Sequence, residues 1–91
     1  MNNELSKAMV DALRNQWNIK GKHLDSKDVY EELIAKGVDI PDWHMNEILL
    51  NFKKAGIING PGYMNSEAAK RHGGMRITSV DLELLDQLDF D

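Results

Sequence analysis

Leu49-Leu50-Asn51-Phe52-Lys53-Lys54-Ala55-Gly56-Ile57-Ile58 reads as the last turns of a helix, a stop and the start of a strand. Upstream, Met45, Ile48, Leu49, Phe52 and Ala55 recur at three- and four-residue steps, which lines one helical face. Pro41 suits the first turn of that helix, where its missing N–H is not needed, so the helix is expected from about Pro41 to Lys54 or Ala55. Gly56 ends it, and Ile57-Ile58 opens a strand that runs into the turn formers Asn59-Gly60-Pro61-Gly62. Met75-Arg76-Ile77 is the second strand of the same element. Between the two strands, Ser66 to His72 has room for one or two helical turns, with Gly73-Gly74 as their stop.

Before this unit the spacing predicts two more helices. Leu5, Ala8, Met9, Ala12, Leu13 and Gln16 or Trp17 share one face of a helix from about Glu4 to Trp17, capped by Asn2 or Asn3 and broken over Asn18–Gly21. His23-Leu24 reads as a very short strand. The second helix starts at Asp25 or Ser26, whose side chains can accept from the orphan amides of a first turn. With Asp25 as cap, Asp28 stands at the third helical position, where its charge suits the helix dipole. Val29, Tyr30, Leu33 and Ile34 are candidates for its apolar face, and Gly37 is its stop. After the second wing strand, Thr78-Ser79-Val80-Asp81 matches a capping box, which predicts a last, acidic helix over about 79–88. Leu82, Leu85 and Leu88, with Leu84 and Phe90 beside them, supply its apolar side, and the final three residues are expected to be disordered. Two helices joined by a tight turn and followed by a two-stranded element suggest a helix-turn-helix with a wing. The expected class is therefore mainly α with a small antiparallel β wing.

Those residues carry a resemblance. The Leu49–Ile58 stretch resembles the end of the third helix in prokaryotic winged-helix (winged helix-turn-helix) domains, which often read Leu-x-x-Leu-x-x-x-Gly-Leu-Ile. Met75-Arg76-Ile77-Thr78-Ser79-Val80-Asp81-Leu82 similarly resembles their second wing strand and the cap of the helix after it. With the helix spacing, the likeness spans most of the chain. Its departure is the stretch between Ile58 and Met75, longer than a simple wing hairpin. The resemblance implies either a DNA-binding transcriptional regulator or a protein-interaction module, since fold alone does not settle function.

For a 91-residue chain one domain is expected, 1–91, because a second core would have too little chain to bury. No apolar run reaches the roughly 20 residues of a membrane span, and the N-terminus lacks the order of a signal peptide; the expected setting is cytoplasmic. The absence of cysteine removes disulfides, thiolate catalysis and Cys-ligated zinc. The formal net charge of -4 is unevenly spread. Five acids and no Lys or Arg lie between Val80 and Asp91, leaving 11 basic against 10 acidic residues in the rest of the chain. A nucleic-acid surface is thus permitted without being announced.

On the third helix, a core stripe of Met45, Ile48, Leu49 and Phe52 turns Trp43, Glu47, Leu50 and Lys54 to the opposite side, with His44, Asn46, Asn51 and Lys53 on the flanks. Asn can pair with adenine, and His and Lys can reach phosphates, so His44, Asn46, Asn51 and Lys54 are the candidate contacts to double-stranded DNA. Lys70, Arg71 and Arg76 are the candidate phosphate contacts of the wing, with Tyr63 and Met64 as a stacking surface or a loop anchor. Against DNA stand Glu47 at the centre of the face and the absence of Arg from the helix. Trp43 and Leu50, two turns apart, are equally the anchors of a protein contact, although Trp43 can instead fold back onto the core. Leu82, Leu85 and Leu88 are the remaining candidate partner contacts. They close the core against the first helix, pair with a second subunit, or do both, with Trp17 and Met9 as their counterparts. A homodimer through the first and last helices is expected.

Catalysis is not expected. His23, His44 and His72 are isolated, and no H-x-x-x-H or H-E-x-x-H pattern appears, so no metal or other cofactor is signed. Gly21-Lys22-His23 lacks the remaining parts of a phosphate-binding loop, and Glu31-Glu32 is a surface pair rather than a catalytic dyad. Nothing assembles nucleophile, base and oxyanion donors.

Overall fold

The computed structural model describes residues 3–62, 67 and 73–88. Its chain runs α1 (Asn3–Lys20), a single 3-10 turn (Gly21–His23), β1 (Leu24–Asp25), α2 (Ser26–Ala35), α3 (Asp42–Lys54), β2 (Ile58–Asn59), β3 (Arg76–Ile77), β4 (Ser79–Val80) and α4 (Leu82–Asp86). The architecture is mainly helical with small antiparallel two-stranded pieces. None of the described helices is long and apolar enough to cross a membrane.

The apolar periodicity of α1 places Met9, Ala12 and Leu13 in the core, with Leu5, Ala8 and Trp17 packed against it. The helix outlasts the expected end at Trp17 by three residues. Asn18 does not break it; Asn18, Ile19 and Lys20 continue the helix on its solvent side, with Ile19 72% exposed. The chain turns only at Gly21, whose φ of +55° an L side chain rarely adopts. Lys20 is then held by α2: its ammonium donates to the Asp28 carboxylate at 2.7 Å. That anion beside it, by hydrogen bond and by charge, raises the Lys20 pKa above its ordinary 10.5. Gln16 adds a second link between the helices, donating to Glu32 at 3.0 Å.

Asp25 caps α2. Its side chain meets the backbone of Asp28, and the Asp25 N–H donates back to the Asp28 carboxylate at 3.0 Å. Ser26 serves a different purpose. It is fully buried, its N–H donates to the Met75 carbonyl at 2.9 Å, and its hydroxyl accepts from the Met75 N–H at 3.1 Å. The start of α2 is thereby fastened to β3. Val29 and Leu33 face the core, Tyr30 packs beside them, and Ile34 points outward.

Residues 75–80 are the centre of the β structure. On one side β3 pairs antiparallel with β1, Leu24 opposite Ile77 and Asp25 opposite Arg76. On the other side β4 pairs antiparallel with β2, Ile58 opposite Val80 and Asn59 opposite Ser79. An antiparallel bridge between Gly62 and Met75 continues that second ladder. Gly60 sits where the two strands come closest. A Cβ there would overlap the Arg76 carbonyl oxygen and lie 2.8 Å from its carbon.

The last helix departs from expectation. Thr78 does not cap it. Its N–H and its hydroxyl both donate to the Asn59 carbonyl, at 2.8 and 3.2 Å, and Ser79–Val80 continues as strand. Asp81 is the cap instead, accepting from the Leu84 N–H at 3.0 Å, so the helix expected over about 79–88 covers only Leu82–Asp86. Of the helical turns expected over Ser66–His72 only Glu67 is described, in helical conformation and exposed, and the calls on Tyr63, Met64 and Phe90 lie outside the described residues.

Candidate binding face

Pro41 admits the chain to α3, Met45, Ile48 and Leu49 bury on the core, and Gly56, at φ +81°, lets the chain leave. Phe52 is half-buried against the same core. Because the stripe is narrow, the opposite side of α3 is largely open, although Leu50 borders a small cleft shared with Gly62, Gly74 and Met75. Trp43 is 65% exposed and Leu50 48% exposed, with Glu47 between them and Lys54 beyond, all four in the open. Trp43 does not fold back onto the core. Its ring stacks on His44, centroids 5.4 Å apart and planes 21° from parallel, which leaves the indole outward and His44 half-covered. The steps 43, 47, 50 and 54 form a single row along about 16 Å of helix.

The flanks are less available than the helical wheel implies. Asn46 is half-buried, and its amide lies against Gly74, where any side chain would collide with it. Its Oδ1 is shielded from solvent, with no hydrogen-bond partner among the described residues. The same amide borders a cleft of about 420 Å³ walled by Tyr30, Met45, Lys27 and Asp42. Lys53 is committed locally, its ammonium donating to the Gly60 carbonyl at 2.8 Å and tying α3 to the hairpin. Asn51 and Lys54 are exposed and unencumbered by any interaction among the described residues. Arg76 is exposed but leans toward Asp25, Nε to Oδ1 4.0 Å. Lys70 and Arg71 lie outside the described residues.

The C-terminal leucines divide. Leu85 is 1% exposed and belongs to the chain's own core, so it is no surface contact. Leu88 packs half-buried beside it, whereas Leu82 and Leu84 are at the surface. An ion pair between Arg14 and Asp86 braces α4 on α1. Met9, expected to meet a second subunit, is fully buried, and Trp17 is half-buried on the core. Met9 and Leu85 thus both belong to the chain's own core. Sequence reasoning placed Asp81 and Ser26 at helix starts but in other roles: Asp81 closes the expected capping box and is instead the cap, and Ser26 is an alternative cap and instead ties α2 to Met75. Asp81 carries a cap signal of its own, an acid directly before an apolar run; the partner of Ser26 is too distant in sequence to show.

Among the described residues no group of three or more His, Asp or Glu side chains is placed to hold a metal ion.

No protein-family model, curated protein or solved structure matches the chain. What the surface can bind is accordingly argued from its own chemistry. Two large apolar side chains in one open row are a protein-contact feature; a row with a carboxylate at its centre is a poor fit to phosphate.

Proposed function

We propose that the chain is a winged-helix domain acting as a protein-interaction module, with the outward face of α3 as its contact surface. The fold half of this reading is supported by the element order and by residues 75–80, flanked by β1 on one side and the Ile58–Gly62 segment on the other. The functional half rests on one observation: Trp43 and Leu50 are both turned to solvent in line with Glu47. Covering a large apolar side chain contributes about 1.5–3 kcal/mol, and a protein partner can cover both. A DNA groove would instead set Glu47 against phosphate. Of the cations of α3 and the wing, Lys53 is spent on a backbone carbonyl and Arg76 leans on Asp25.

The competing reading keeps Asn51 and Lys54, both exposed on α3, as DNA contacts. Titrating the protein into labelled mixed-sequence duplex at about 50 and 200 mM salt separates the two. The protein-contact reading expects no binding at either salt. Micromolar binding that weakens steeply with salt, and is lost in Asn51→Ala with Lys54→Ala, would replace it with the DNA reading.

A further inference from the structure

We infer that Asn59 is a self-modification site, at which the folded hairpin helps the Gly60 amide nitrogen to close on the Asn59 side chain and release ammonia. Asn59-Gly60 is the one place in the chain where asparagine precedes glycine, so no side chain on the following residue crowds the nitrogen. At Asn15, Asn18, Asn46 and Asn51 the next residue carries a side chain, and α1 or α3 holds the backbone helical. At Gly60 the N–H donates to the Asn59 Oδ1 at 2.9 Å, with the reacting carbon, Cγ, one bond beyond that oxygen.

The peptide between the two residues is also activated. Ring closure takes the proton from the Gly60 nitrogen, and the negative charge that develops is shared with the Asn59 carbonyl oxygen. That oxygen already accepts from the Thr78 N–H at 2.8 Å and from the Thr78 hydroxyl at 3.2 Å. The Lys53 ammonium sits on the next carbonyl, that of Gly60, at 2.8 Å. Donors fixed in advance where charge develops lower the barrier to forming it. Asn59 is exposed and borders an open cleft of about 690 Å³ shared with Lys53, Ser79 and Asp81, so water reaches the side chain.

The Gly60 nitrogen bonds to Cγ as its proton passes to Oδ1. The tetrahedral carbon then expels Nδ2, which takes up that proton and leaves as ammonia, and a succinimide ring remains. Water adds to either ring carbonyl and breaks its bond to nitrogen. Opening at Cγ gives an aspartyl residue at position 59, and opening at the backbone carbonyl gives an isoaspartyl residue. Nothing is oxidised or reduced. The isoaspartyl product routes the main chain through Cβ and lengthens it by one carbon. β2 then cannot keep both its pairing with Ser79 and the close approach of Gly60 to Arg76.

The test is to incubate the intact folded protein at neutral pH and map the products by tandem mass spectrometry that separates aspartyl from isoaspartyl. Exchange of amide for acid is expected at position 59, in both forms, with ammonia released, while Asn46 and Asn51 keep their amides. Thr78→Val and Lys53→Met, checked for folding by far-UV circular dichroism, should each slow the reaction by about two- to tenfold, the worth of one hydrogen bond. Wild type unfolded in guanidinium, where these donors are dispersed, should react no faster than the folded protein. Faster loss of the amide in guanidinium would overturn the inference. So would faster reaction in Thr78→Val and Lys53→Met, which would make the hairpin a restraint on ring closure and not an aid to it.

Discussion

Replacing Gly60 by alanine should damage this protein more than the same change at Gly56. Gly60 has φ +155°, and its missing Cβ is what lets the hairpin strands approach. With a methyl group in place, the Arg76 carbonyl is in collision and the Thr78 nitrogen is 3.2 Å away. These are backbone atoms, so no side-chain rotation relieves the contact; the strands must separate. Separation sacrifices the bonds from Thr78 N–H to the Asn59 carbonyl, 2.8 Å, and from Arg76 N–H to the Pro61 carbonyl, 3.0 Å. At about 1 kcal/mol net each, and about 1–2 kcal/mol for an L residue at positive φ, the cost is about 3–4 kcal/mol. That is a large share of the 5–15 kcal/mol typical of a small domain. Gly56 is the control. Its φ is +81°, but a Cβ there meets nothing within 4 Å, so only the conformational cost of about 1–2 kcal/mol applies. In urea, with a slope of about 1.5 kcal/mol/M, the two midpoints should differ by about 1 M or more. Equal midpoints would refute the claim that the backbone of Arg76 and Thr78 approaches Gly60 too closely for a side chain.

Two further outcomes follow from the helix termini. Asp81→Ala should cost about 1 kcal/mol and speed hydrogen exchange at the Leu84 amide, while Thr78→Ala leaves that amide protected; the reverse would mean that the last helix begins near residue 79. Lys20, whose pKa is raised by Asp28, should stabilise the fold fully below its ordinary 10.5, and this contribution should be lost as pH rises through the raised value. The stability difference between wild type and Lys20→Gln is accordingly expected to stay level from pH 7 to 10 and to vanish at higher pH. A difference that grows with pH would contradict the sign.

The parts of this structure that were legible in the sequence are those decided within a few residues. Met45, Ile48 and Leu49 fix which side of α3 is buried, and the same angular spacing turned Trp43, Glu47, Leu50 and Lys54 outward. Asp25 and Asp28 signalled the start of α2 because a capping box is a four-residue device. What was not legible depends on distant chain. Thr78-Ser79-Val80-Asp81 suits a helix start by local pattern, but pairing with Ile58 and Asn59 takes Ser79 and Val80 into a strand. Asn18 resembles a helix breaker, yet the helix persists until Gly21 turns the chain. At the binding face the same limit holds. Lys53 looks like a free cation until the hairpin brings the Gly60 carbonyl beneath it, and Asn46 looks like a base reader until Gly74 closes over its amide. Leu85 could serve a partner or the core by sequence; its 1% exposure within the core cluster decides for the core.

The most direct measurement is site-specific photo-crosslinking in the cells that make the protein, with a photo-reactive residue at position 50 and, as control, at position 31, exposed on α2. An outward-facing contact surface on α3 predicts a discrete protein adduct from position 50 and none from position 31. An adduct at twice the chain's mass is a pair of this chain's copies, and any other discrete mass is a different protein. A nucleic-acid adduct from position 50, or identical yields from both positions, would contradict the assignment of this face to protein contact.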